Sequence, residues 1–116
     1  MQLLEDEHAP TQARRLARRW ASAAGFSGRV VSDLELVVTE LVSNAIRHGL
    51  PPYELELRSI AGAIRVEVSD ALPLRSQPKT PTEPGGFGLG IVNACASQWG
   101  ADALPTGKIV WVEIKR

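Results

Sequence analysis

The spacing of apolar residues changes period once along the chain, and that change constrains the fold more than any other feature. Ahead of Gly49, Leu34, Val37, Val38, Leu41, Val42 and Ala45 recur every three or four positions, the stripe of a helix packed on one face. Gly49, Pro51 and Pro52 break that pattern, because proline cannot continue a helix. Beyond them Tyr53, Leu55 and Leu57 alternate with Glu54, Glu56 and Arg58. After a turn at Ala61-Gly62, Ile64, Val66 and Val68 alternate with Arg65, Glu67 and Ser69. Period two with one apolar side predicts an antiparallel hairpin, one face buried and the other wet.

The flanks extend the pattern in both directions. An earlier helix opens at Pro10-Thr11, carries Ala13, Leu16, Ala17, Trp20 and Ala24 at helical spacing, and ends at Gly25. The helix bearing the Leu34 stripe starts between Ser27 and Ser32. Residues from about 72 to 86 contain Pro73, Pro78, Pro81 and Pro84 without periodicity, which reads as a long loop of functional or disordered type. A third helix is expected from about Gly88 to Trp99. A short strand near Ala103-Leu104, a turn at Pro105-Thr106-Gly107 and a strand Ile109–Ile114 close the chain. Trp20, Trp99 and Trp111 read as core residues rather than a stacking platform. This order predicts an α+β two-layer sandwich, a mostly antiparallel sheet covered on one face by about three helices. With 116 residues, one domain spanning 1–116 is the expectation.

Composition removes several functional classes. Thirteen basic residues balance thirteen acidic ones, so no general pull toward nucleic acid or an anionic membrane follows. Arg14, Arg15, Arg18 and Arg19 cluster locally, as a solvated helix face or, less often, a protein-docking patch. There is no run of about 18 apolar residues to span a membrane, and the acidic N-terminus lacks a secretory pattern, so a cytoplasmic protein is expected. The chain holds one cysteine, and neither G-x-S-x-G nor H-E-x-x-H occurs.

Three short segments carry residues suited to chemistry. Glu40 and Asn44 stand one helical turn apart and border the apolar stripe, with His48 continuing the row. Taken alone, a helical Glu and Asn are most often surface residues. Asp70 ends an apolar strand, where it could accept a hydrogen bond from an exocyclic amine or cap a turn. Gly85-Gly86-Phe87-Gly88-Leu89-Gly90 precedes the third helix, where glycines and free N–H groups suit phosphate. No Asp or Glu follows at the distance a dinucleotide-binding turn requires, and there is no G-x-x-x-x-G-K-[ST] loop.

In this order and at these spacings, the segments resemble the motifs of the histidine-kinase-like ATPase superfamily, which includes gyrase and the histidine kinases. Thr39-Glu40-Leu41-Val42-Ser43-Asn44-Ala45-Ile46-Arg47-His48-Gly49 is similar to its N box. Val66-Glu67-Val68-Ser69-Asp70 is similar to the first glycine box and Gly86-Phe87-Gly88-Leu89-Gly90-Ile91-Val92 to the second. Within the superfamily, Trp99-Gly100 and Gly107-Lys108-Ile109-Val110-Trp111 resemble the short anti-sigma-factor-type kinases of bacteria.

The resemblance implies ATP and Mg²⁺ as ligands and a role for each matching residue. Asn44 would coordinate Mg²⁺, and Glu40 would act as general base or orient the nucleophile. Asp70 would accept the adenine amino group, and His48 would pack near the nucleotide's edge. Gly86, Phe87, Gly88, Leu89 and Gly90 would line the phosphates under a lid of residues 72–86, with Arg75 and Lys79 available to the terminal phosphate. The implied activity is a serine/threonine protein kinase acting on an anti-sigma-factor antagonist. The alternative is a non-catalytic ATP-binding module that regulates a sigma factor or another partner by binding it. Phe87 stands where many relatives carry Arg, and Asp70-Ala71-Leu72 lacks the glycines of D-x-G-x-G, which favour that alternative. A homodimer is a further implication, in which Gln2 to Glu5 would supply the strand that relatives pair across subunits.

Overall fold

The computed structural model describes residues 1–74 and 90–115. Helix α1 runs over Ala9–Ala23 with Pro10 in its first turn, where the missing N–H costs nothing. Ala9, Ala13, Ala17 and Ala21 recur every fourth position and are fully buried. This row of methyl groups lets α1 lie close along helix α2, Arg29–His48. Gly25 and Gly28 turn the chain between the two helices at positive φ, a conformation that suits a residue without Cβ. Trp20 stacks on Phe26 beside this turn, with ring centroids 5.8 Å apart.

The Leu34 stripe of α2 is buried as its spacing predicts: Leu34, Val37, Val38, Leu41, Val42 and Ala45 all face the core. At about 1.5–3 kcal/mol for each fully buried aliphatic side chain, this stripe is a large favourable contribution to the fold. It packs on a four-stranded antiparallel sheet of β1 (Glu54–Ile60), β2 (Ala63–Asp70), β3 (Gln98–Leu104) and β4 (Gly107–Lys115), in the order β1-β2-β4-β3. The alternation in β2 puts Ile64, Val66, Val68 and Asp70 on the helix side. The β2–β4 register sets Val66 opposite Val112 and Val68 opposite Val110. The α+β architecture therefore stands as the periodicity implies.

Two expectations need correction. The third helix, α3, spans only Gly90–Cys95, and Trp99 belongs to β3 rather than to the helix. The apolar pattern there fits either period. Pairing decides it, since β3 lies in register along β4 with Trp99 opposite Val112. Ser97 joins this edge by donating its backbone N–H to the Glu113 carbonyl at 2.8 Å. Trp20 and Trp99 do pack against the core, but Trp111 lies on the other face of the sheet.

On that face Trp111 sits over Gly100, where a Cβ would come within 2.9 Å of the indole. The Arg65 guanidinium lies 4.4 Å from the Trp111 ring centroid, a cation–π contact. Arg65 also donates to Glu67 at 3.0 Å and to Glu113 at 2.7 Å. Desolvation alone would lower the guanidinium's pKa, but the hydrogen bonds to Glu67 and Glu113 outweigh it and raise it.

Residues 1–3 lie along β1 of the same chain. The Leu3 N–H donates to the Tyr53 carbonyl at 2.8 Å, and the Leu55 N–H to the Met1 carbonyl at 2.9 Å. Gln2 thus forms an isolated antiparallel bridge with Glu54 at the edge of the sheet. Among the described residues no helix is long and apolar enough to cross a membrane.

Candidate functional site

Glu40 and Asn44 occupy the rim of the buried stripe of α2. Both are half-buried, between the core positions Val37, Leu41 and Ala45 and the solvent. The Asn44 Oδ1 accepts a hydrogen bond from Arg47 Nη2 at 2.8 Å. His48, one turn further, is exposed at the end of the helix. It lies outside the stripe that its spacing suggested, because the helix stops at Gly49 just past the last buried residue, Ala45.

Asp70 is the only charged residue in the core among the described residues, with its side chain 3% exposed. A buried carboxylate is costly unless hydrogen-bonded. Here one oxygen, Oδ1, accepts from three donors: the Leu72 N–H at 2.8 Å, the Lys108 ammonium at 3.0 Å and the Leu50 N–H at 3.4 Å. The bond from Leu72 is the turn-capping role that its position suggested. The bond from Leu50 ties Asp70 to the end of α2, and the Ala71 N–H donates back to the Leu50 carbonyl at 2.8 Å.

Two glycines make this close approach feasible. A Cβ on Gly49 would lie 2.5 Å from Asp70 Cγ and 2.7 Å from Oδ2. A Cβ on Gly107 would collide with the Asp70 carbonyl oxygen. The Asp70 carboxylate, Oδ2 included, therefore packs directly on the Gly49 backbone, in the volume a side chain there would need. The Asp70 charge also reaches Tyr53, whose phenol is raised above its ordinary value, first by burial and then by Asp70 and Glu5.

The structure thus brings the C-terminal half of α2 to the end of β2. Gly49 touches Asp70, and Asn44 stands about 7.5 Å back along the helix axis, at 1.5 Å per residue. Gly90 opens α3, which packs against α2. Arg75, Lys79, Gly86, Phe87, Gly88 and Leu89 lie outside the described residues. Among the described residues no group of three or more His, Cys, Asp or Glu side chains could hold a metal by itself.

The arrangement fits a purine nucleotide on the base side. A carboxylate only accepts hydrogen bonds, as an exocyclic amine requires, and its second oxygen lies against the Gly49 backbone at the end of α2. On the phosphate side Asn44 offers an amide oxygen, a ligand type suited to Mg²⁺ that also keeps water and phosphate oxygens. Arg47 would have to release that oxygen first.

The sequence did not single out Lys108, Gly49 or Gly107 for this site. Lys108 lies directly across from Asp70 in the β2–β4 register. That pairing could be found only by aligning the two strands, since 38 positions separate the residues.

Residues 4–114 match the sequence model of the histidine kinase-like ATPase domain. Similar solved structures include a blue-light activated histidine kinase of Erythrobacter litoralis, with TM-score 0.60 and 20% identity, covering 87% of this chain and 39% of that one. The isolated histidine kinase domain of the same protein has TM-score 0.60 and 19% identity, with 91% and 60% covered. The histidine kinase AdeS of Acinetobacter baumannii has TM-score 0.61 and 17% identity, with 99% and 66% covered. The chain thus spans 39–66% of the length of these structures, and at such identities the likeness concerns the fold. No curated protein matches the sequence.

Proposed function

The chain belongs to the histidine kinase-like ATPase domain family, and from that premise we propose that it binds ATP with Mg²⁺ and regulates a protein partner. The observation that carries this reading is the buried Asp70 facing Gly49 at the end of the helix that bears Glu40 and Asn44. In this reading Asp70 accepts the adenine amino group through its carboxylate. Asn44 holds Mg²⁺, and Glu40 orients or deprotonates the attacking hydroxyl. His48 borders the nucleotide. Gly86, Phe87, Gly88, Leu89 and Gly90 line the phosphates, with Arg75 and Lys79 reaching the terminal one. When bound, Mg²⁺ would neutralise phosphate charge and hold the phosphate oxygens for transfer.

The finer activity we propose is that of an anti-sigma-factor-type serine/threonine kinase. The γ-phosphate passes to a serine or threonine hydroxyl of an anti-sigma-factor antagonist in the cytoplasm: a new P–O bond forms to that hydroxyl, the bond to ADP breaks, and the hydroxyl proton leaves through Glu40 or solvent. Catalysis of this kind relies on positioning and charge neutralisation.

A second reading is favoured by Phe87 and by the Arg47–Asn44 hydrogen bond, which occupies the proposed metal ligand. In it the domain binds nucleotide without turning it over and sequesters a sigma factor or another regulator. Incubation with γ-labelled ATP and the candidate antagonist separates the two. Label on a partner serine or threonine that is lost in Glu40→Gln supports the kinase. Partner capture with no label at any enzyme concentration contradicts it.

A further inference from the structure

Lys108 is as deeply involved with Asp70 as any backbone group, although no step above uses it. We propose that Lys108 is a positioning residue for base recognition: it engages one oxygen of Asp70 and so leaves the other, above Gly49, as the acceptor for the adenine amine. The inference rests on the ATP-site reading given above.

Its basis is the local geometry. The β2–β4 register makes Asp70 and Lys108 direct cross-strand partners, on the side of the sheet that carries Val66, Val68 and Val112. The Lys108 side chain is 12% exposed, so its ammonium has lost most of its water and takes protein acceptors instead. Two are supplied: Asp70 Oδ1 at 3.0 Å and the Leu72 carbonyl at 3.3 Å. With two acceptors the ammonium is pinned. The Leu72 and Leu50 N–H groups fall on the same carboxylate oxygen. Three donors on Oδ1 fix the rotation of the carboxylate and set Oδ2, which takes none of them, against the Gly49 backbone.

The choice of lysine matters. An ammonium is a compact donor that can serve one carboxylate oxygen, whereas a guanidinium is a planar fork that matches both. Arginine at this position would keep the charge pair but compete for the oxygen assigned to the base.

The test compares ATP with purine riboside 5′-triphosphate, which differs by loss of the 6-amino group, in Mg²⁺-containing calorimetry. Wild type, Lys108→Met and Lys108→Arg are measured, with thermal melts to establish folding. Wild type is expected to prefer ATP by about tenfold or more, the size of one useful hydrogen bond. Lys108→Arg is expected to melt close to wild type yet show a preference below about threefold, and Lys108→Met to lose the preference as well. If Lys108→Met does not fold, because Asp70 is left buried without its cation, Lys108→Arg decides. A folded Lys108→Arg that retains the full preference overturns the inference, and Lys108 is then only structural. Wild type that binds both nucleotides equally also overturns it while leaving ATP binding intact. Wild type that binds neither removes the ATP-site reading itself.

Discussion

At the scale of single residues, the site depends as much on absent side chains as on present ones. Asp70 can be buried because three donors converge on it and because Gly49 and Gly107 have no Cβ to occupy the contact. Gly49→Ala tests this directly. The new methyl would lie 2.5 Å from Asp70 Cγ and 2.8 Å from the Ala45 carbonyl, so either the carboxylate or the helix end must shift. Such overpacking costs about 1–3 kcal/mol, and a drop of several degrees in melting temperature with weaker ATP binding is expected. Unchanged melting would show that the contact relaxes freely. The carboxylate itself was legible in the sequence as a strand-terminal Asp. Its cation was not, because Lys108 reaches it only through a strand pairing that sequence spacing does not reveal.

At the scale of elements, helices with strong periodicity were legible and the short one was not. The α2 stripe, Leu34 to Ala45, needs only local spacing to be read, and its burial follows. Trp99 had to be assigned between a helix and a strand, and the choice rests on pairing with β4 rather than on any local preference. The alanine row of α1 shows how far an element's identity depends on its neighbour, since four methyl groups set its approach to α2. Ala17→Leu, at a fully buried position in that row, should therefore destabilise by about 1–3 kcal/mol, read as a lower denaturant midpoint with an unchanged slope. A midpoint equal to wild type would mean that the helices separate without cost. On the opposite face of the sheet, the Arg65–Trp111 contact shows why Trp111 could not be assigned to the core from its strand alone. An inward and an outward residue of β4 are both apolar, and only the register over Gly100 tells them apart.

At the scale of the whole molecule, a half-buried thiol and a buried phenol tie stability to alkaline pH. The Cys95 thiol is raised above its ordinary value by burial first, then by the charge and hydrogen bond of Asp33. Tyr53 is raised by burial, Asp70 and Glu5. In each case the folded state holds the proton more tightly, so the stabilisation is complete below the ordinary pKa and is lost as pH rises through the folded one. Melting temperature should decline above about pH 9, as the unfolded thiol and then the unfolded phenol ionise. Cys95→Ala should flatten the earlier part of the decline and Tyr53→Phe the later part. A decline identical in both variants would place its cause elsewhere. The proposed nucleotide site lies between the end of α2 and the end of β2, and calorimetry of ATP with Mg²⁺ on wild type, Asn44→Ala and Asp70→Asn tests it most directly. Micromolar affinity for wild type, with a loss of about tenfold or more in each variant, at least 1.4 kcal/mol, is the predicted result. Absence of ATP binding by wild type, or variants that bind as tightly as wild type, would contradict the site.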